Sequence, residues 1–172
     1  RPFDVVDENG APSGRKVFLF YNPPVVQKEL GIRASSVKEA AKLGGLFVDN
    51  NVHSILFCRS RTRVEVLTNY LKEASKQKAN RVMAYRGGYL PNERRSIERD
   101  LREGKLLAVV STNALELGID IGSLDVSITV GFPGSISSLL QQSGRAGRKQ
   151  NDAISILIAT SEATDQYVVQ HP

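Results

Sequence analysis

The sequence predicts an α/β fold, a parallel β-sheet covered by helices on both faces. Short apolar runs, such as Ser54–Cys58 and residues 106–111, alternate along the chain with amphipathic segments of helical period. The runs are apolar at consecutive positions, the pattern of strands buried on both sides. Composition is that of a folded domain: 41% hydrophobic and 24% charged over 172 residues, long enough to bury a core.

Each element follows from local signals. Residues 1–16 are polar and turn-rich, with Asp7-Glu8-Asn9-Gly10 and then Ala11-Pro12-Ser13-Gly14. They read as a linker or hairpin leading into a domain over 17–172. Residues 17–21 form a strand that Asn22-Pro23-Pro24 ends, because proline lacks an amide donor and restricts its neighbour. Ser35 or Ser36 caps a helix running to Asp49, with Val37, Ala40, Ala41, Leu43 and Phe47 at helical spacing. Strands are expected at 54–58, 81–85, 106–111, 126–130 and 154–159. Helices are expected at 61–75, 92–102 (opened by Pro91) and 136–142, with a helical turn at 114–117 and a final helix from Ser161.

Charge and cysteine usage narrow the function. Formal net charge is +5, yet residues 59–105 hold 13 Lys/Arg against 6 Asp/Glu, a balance of +7. A concentrated excess suits a polyanionic partner, and a solvated helical face explains it equally well. Cys58 is the single cysteine, which excludes an internal disulfide or a cysteine-cluster zinc site and reads as a small core residue. No apolar run can span a bilayer. The chain opens on Arg1 without an initiator Met or a signal pattern, as an excerpt of a longer intracellular protein would.

In parallel α/β sheets, ligands sit outside the carboxyl ends of the strands. The residues just past those ends are Arg59-Ser60-Arg61, Arg86-Gly87-Gly88, Thr112-Asn113 and the loop after the 136–142 helix. That loop belongs to Gln141-Gln142-Ser143-Gly144-Arg145-Ala146-Gly147-Arg148. Two arginines three apart among glycines display permanent charge and planar donor forks with little obstruction, which suits phosphate. An ordinary surface Gly/Arg loop is the alternative.

The octapeptide resembles motif VI of superfamily 2 helicases. The resemblance implies that Arg148 is an arginine finger at the γ-phosphate of ATP. It makes Arg145 a second phosphate or transition-state contact and has Gln141 help set the loop. Gln142 stands where many RNA-helicase relatives carry Arg, which leans towards RecQ-like DNA helicases. Residues 109–120, Val-Val-Ser-Thr-Asn-Ala-Leu-Glu-Leu-Gly-Ile-Asp, resemble motif V. By that resemblance Thr112 contacts the backbone of a nucleic-acid strand, while Gly118 and Asp120 lie near the ATP ribose. Residues 55–61 resemble motif IV and deliver Ser60 and Arg61 to a phosphate; equally, Ser60 is a helix cap and Arg61 is solvated. Residues 85–94, Tyr-Arg-Gly-Gly-Tyr-Leu-Pro-Asn-Glu-Arg, resemble the loop after the next strand, with Arg86 where His is common. There Gly87 and Gly88 admit a phosphate to the backbone, and Arg86 and Arg94 add charge. Tyr85 and Tyr89 either stack on bases or pack in the core, with packing the better reading.

The lead-in at residues 7–16, followed by Phe20-Tyr21-Asn22-Pro23-Pro24, resembles the start of the second motor domain in the mitomycin repair factor A group. That group includes the fungal and plant RecQ-four-like helicases. The resemblance implies a RecA-like, P-loop NTPase-like helicase domain and a 3′→5′ DNA helicase acting in DNA repair. The chain itself has no Gly-x-x-x-x-Gly-Lys-Ser/Thr loop and no Asp-Glu-Ala-Asp-type box. ATP and Mg²⁺ are therefore expected mainly on an absent first RecA-like domain of the same polypeptide, and the isolated chain is expected not to hydrolyse ATP. Its other expected partner is single-stranded DNA, with no membrane, in cytoplasm, nucleoid or nucleus. An RNA helicase or double-strand translocase motor, or a non-catalytic nucleic-acid-binding module, are the alternatives.

Overall fold

The centre of the molecule is β4 (Ser54–Cys58), all five residues of which are buried. In the computed structural model, residues 14–116, 121–122, 124–147 and 152–171 are described. The expected lead-in lies largely outside them. Six strands form one sheet in the order β1-β8-β7-β4-β6-β5. They are β1 (Lys16–Tyr21), β4, β5 (Val82–Tyr85), β6 (Ala108–Ser111), β7 (Val126–Val130) and β8 (Ala153–Ile158). Every pairing in this sheet is parallel, so all carboxyl ends share one edge.

Successive side chains of a strand point to opposite faces. Leu56 and Cys58 face α1 (Ser36–Asp49) and α2 (Arg61–Ala74), whose Ala40, Ala41, Val48, Val64, Leu67 and Leu71 complete that core. Gly44 and Gly45 let these two helices approach closely. A β-carbon at Gly45 would stand 2.8 Å from the Ala74 methyl, closer than real contacts allow. Ile55 and Phe57 face the opposite side, where Ile97 and Leu101 of α3 (Pro91–Arg102) pack. A third cluster of Phe132, Leu139 and Leu157 seats α4 (Ile136–Ser143) beside α5 (Ala163–Gln170). Each large aliphatic side chain buried this way contributes about 1.5–3 kcal/mol before conformational entropy is charged against it.

Local departures from expectation have physical causes. After the proline stop the chain forms a small antiparallel pair, β2 (Val25–Gln27) and β3 (Ile32–Arg33). Segments of three and two residues are too short to show any period. A 3₁₀ segment, Lys76–Arg81, follows α2. The turn expected at 114–117 is a 3₁₀ turn over Asn113–Leu115. The strand expected from Leu106 starts at Ala108, because Leu106 and Leu107 are buried in the approach to it. Of the two candidate serines, Ser35 caps α1, its hydroxyl accepting from the Lys38 amide at 3.4 Å.

Candidate functional site

In the sheet β4 is flanked by β6 and then β5 on one side, and by β7 and then β8 on the other. A crevice of about 270 Å³ opens between the carboxyl ends of β4 and β7, its walls including Cys58, Asn113, Thr129, Ser138 and Gln142. This is where an open parallel sheet takes ligands.

The end of α4 is tied to this crevice by polar contacts, which explains the hydroxyls in otherwise apolar strands. Ser127 donates to the Gln142 carbonyl at 3.0 Å, and Thr129 Oγ1 donates to Gln142 Oε1 at 3.1 Å. Ser155 donates to the Ser143 carbonyl at 3.3 Å. On the other side of α4 stands Glu116. Its carboxylate oxygen Oε2 accepts from Ser138 Oγ at 2.7 Å and from Gln142 Nε2 at 3.0 Å. Its backbone carbonyl accepts from Arg145 Nε at 2.9 Å and Nη2 at 2.5 Å. Arg145 is 4% exposed, so its charge is buried and met by this carbonyl among its contacts. The segments resembling motifs V and VI therefore form one hydrogen-bonded unit.

Gly147 completes the turn. Its amide donates to the Leu124 carbonyl at 3.0 Å. Its φ is +83°, and a β-carbon there would stand 2.8 Å from the Ala153 methyl, so conformation and space both require glycine. Arg148, Gly118 and Asp120 lie outside the described residues. Gln141 is half-buried, its amide nitrogen at 3.5 Å from Ser137 Oγ.

The remaining strand-end residues fall along the same edge. Ser60 caps α2 and accepts from the Arg63 amide at 3.3 Å, while Arg61 is exposed. Thr112 caps the 3₁₀ turn, accepting from the Ala114 amide at 3.4 Å. Each hydroxyl that accepts in a cap still has its proton to donate, so capping and phosphate contact are compatible. Arg86 forms an ion pair with Glu65 (3.0 Å) and lies 4.9 Å from the centre of the Tyr89 ring. Gly87 and Gly88 are exposed with open space above them. Tyr85 is a core residue, as the packing reading expects; its hydroxyl donates to Glu98 at 2.6 Å. Burial foremost, with the Glu98 bond, pushes its pKa up to about 12, and the nearby charge of Arg94 works against that rise.

Sequence reasoning passed over two anchors. One is Glu116, an ordinary acid until the fold brings α4 to it. The other is Asp165, 0% exposed, which accepts from the Phe132 and Thr160 amides, from Thr160 Oγ1 and from Arg59 Nη2 at 2.7–3.0 Å. Arg59 also bonds Glu162 and, at 2.6 Å, the Phe132 carbonyl. The turn between β7 and α4 is thus gripped from both sides. Among the described residues no group of three or more His, Cys, Asp or Glu is placed to hold a metal ion, and no helix is long and apolar enough to cross a membrane.

A six-stranded parallel sheet in this order, with helices on both faces, is the RecA-like architecture of helicase domains. The chain belongs to the helicase conserved C-terminal domain family, whose model matches residues 38–150. It is 53% identical to the uncharacterized ATP-dependent helicase YprA of Bacillus subtilis, over 100% of this chain and 23% of that protein. It is 41% identical to the ATP-dependent helicase HRQ1 of Saccharomyces cerevisiae, over 98% of this chain and 16% of that protein. The crystal structure of the DUF1998 helicase MrfA bound to DNA and AMPPNP superposes with a TM-score of 0.91 at 52% identity, over 100% of this chain and 24% of that one. The RecA-like class and the resemblance to second motor domains of the mitomycin repair factor A group both hold. The chain spans about a quarter or less of the length of these relatives.

Proposed function

We propose that the chain is the second motor domain of an ATP-dependent 3′→5′ DNA helicase acting in DNA repair. The observation that carries this reading is the unit formed by Glu116, Gln142 and Arg145, which joins the segment resembling motif V to the one resembling motif VI. The naming of YprA and HRQ1 as ATP-dependent helicases, and of MrfA as bound to DNA and AMPPNP, supports it. Polarity and repair follow from the family resemblance alone.

In this reading a first RecA-like domain, elsewhere in the longer protein, holds most of the ATP and its Mg²⁺. Arg148 reaches the γ-phosphate when the cleft between the domains closes. Arg145 is anchored on Glu116, holds the loop that carries Arg148 and adds a second phosphate contact. Gln141, Gly118 and Asp120 flank the nucleotide. Ser60, Arg61, Arg86, Gly87, Gly88, Arg94 and Thr112 hold a single DNA strand by its phosphates. Glu116 transmits cleft closure to Thr112, because both residues belong to the segment between β6 and β7.

The test is titration of the 172-residue chain with labelled single-stranded DNA at several salt concentrations, beside an ATPase assay. Affinity should fall steeply with salt, since each phosphate contact releases counterions. Excess RNA should compete less well than DNA, and ATP turnover should be absent. Salt-independent binding would remove the strand-tracking reading, and turnover by the isolated chain would remove the two-domain reading.

A further inference from the structure

A second polar cavity, of about 230 Å³, lies beyond the motif-like segments at the β1–β8 side of the sheet. Two strand ends and a helix start converge on it. The loop after β8 contributes Thr160 and Ser161, the end of β3 contributes Arg33, and the start of α1 contributes Ser35 and Ser36. Arg63 enters from the first turn of α2.

The lining is cationic and hydroxylic, with no carboxylate in it. Glu39, in the first turn of α1, is engaged elsewhere, with Lys42 at 2.6 Å and the Tyr21 hydroxyl at 3.0 Å. Arg33 gives Nη1 to the Pro23 carbonyl at 2.8 Å, which fixes the guanidinium in place. The guanidinium of Arg63 has no hydrogen-bonding or ion-pair partner among the described residues. Two such forks over serine hydroxyls suit an anion with several acceptor oxygens.

The location selects the anion. Ser60 caps the helix that carries Arg61 and, two residues further on, Arg63, on the same carboxyl edge. At 3.6 residues per turn, positions two apart on a helix point about 200° from one another. Arg61 and Arg63 therefore address different groups. We infer that this cavity seats a backbone phosphodiester of the bound single strand, separate from the one at Ser60 and Arg61, and so extends the track to the β1–β8 side. The inference rests on the strand-binding reading above. It adds Arg63 and Arg33 as strand contacts, both independent of sequence because phosphates carry no base identity.

The experiment uses the 172-residue chain and a labelled oligothymidylate. In wild type, Arg63→Ala, Arg63→Gln, Arg33→Ala and Lys105→Ala, affinity is measured across a salt series, with folding checked by circular dichroism. Lys105 lies before β6, at the amino ends of the strands and away from the carboxyl edge, and serves as the charge-matched control. Loss of one phosphate contact on a single strand should flatten the log–log salt slope by about 0.7 and weaken binding several-fold. Both Arg63 variants and Arg33→Ala should show this; Lys105→Ala should keep the wild-type slope. Salt-dependent wild-type binding with unchanged slopes in the folded Arg63 and Arg33 variants would overturn the cavity assignment and leave strand binding standing. Wild-type binding without salt dependence would remove both. Inorganic phosphate is the second probe. If the variants lose phosphate binding but keep oligonucleotide affinity, the cavity is a free-anion site and the strand assignment falls.

Discussion

Arg145 points two of its guanidinium nitrogens at one backbone oxygen, the carbonyl of Glu116, at 2.9 and 2.5 Å. A buried cation is thereby used to fix the path of a segment 29 residues away in the chain.

Arg145→Ala leaves that carbonyl without these donors in a site water reaches poorly. An unsatisfied buried polar group costs about 1–3 kcal/mol, and urea denaturation of the chain should show a loss of that order. Lysine should restore little, because a point charge cannot reproduce the two-pronged geometry. A variant as stable as wild type would mean that the Arg145–Glu116 contact is not what holds the loop.

Arg148→Ala, made in the full-length parent protein, should abolish DNA-stimulated ATPase while sparing DNA affinity measured without nucleotide. Arginine fingers contribute on the order of 10³-fold or more in phosphoryl transfer, and the strand contacts proposed above lie on other residues. Near-normal turnover in a folded variant would move the assignment to Arg145.

Asp165→Ala removes the acceptor of four donors and leaves Arg59 with only Glu162 and the Phe132 carbonyl. Breaking a buried ion pair costs about 3–5 kcal/mol. Arg59 keeps 31% of its side chain exposed, so the expected loss falls below that range, at about 2–3 kcal/mol. Thermal melts of the two proteins would read it, and an unchanged melting temperature would contradict the gripping of the β7–α4 turn.

Alkaline pH should destabilise the chain. Burial raises the Cys58 thiol from 9.0 to about 12, with the charge of Arg63 opposing the rise, and raises Tyr85 from 10.0 to about 12. Both groups are held neutral in the folded state. Their contribution is complete below pH 9 and is lost as pH rises towards 12. Denaturant midpoints measured from pH 8 to 11.5 should fall over that window. A thiol reagent at pH 8 should modify Cys58 slowly in the folded chain and rapidly after unfolding, since the thiolate is the reactive form. Rapid modification of the folded chain would contradict the burial of β4.

The sequence alone determined the sheet, because its strands are apolar at consecutive positions and its helices repeat every three to four residues; both are local signals. It also marked the strand ends and the Gly-Arg run, since residue type there reports chemistry directly. The tertiary structure decided what those residues touch. Glu116 meets Ser138 and Gln142, and Asp165 meets Arg59, across 22 to 106 positions of sequence, and no local pattern encodes a partner so distant. The strand at 126–130 also carries the hydroxyls of Ser127 and Thr129, whose role no local pattern gives. Only the packing of α4 over that strand showed the reason: each buried hydroxyl finds its acceptor on Gln142, the Ser127 hydroxyl on the carbonyl and the Thr129 hydroxyl on the side-chain oxygen.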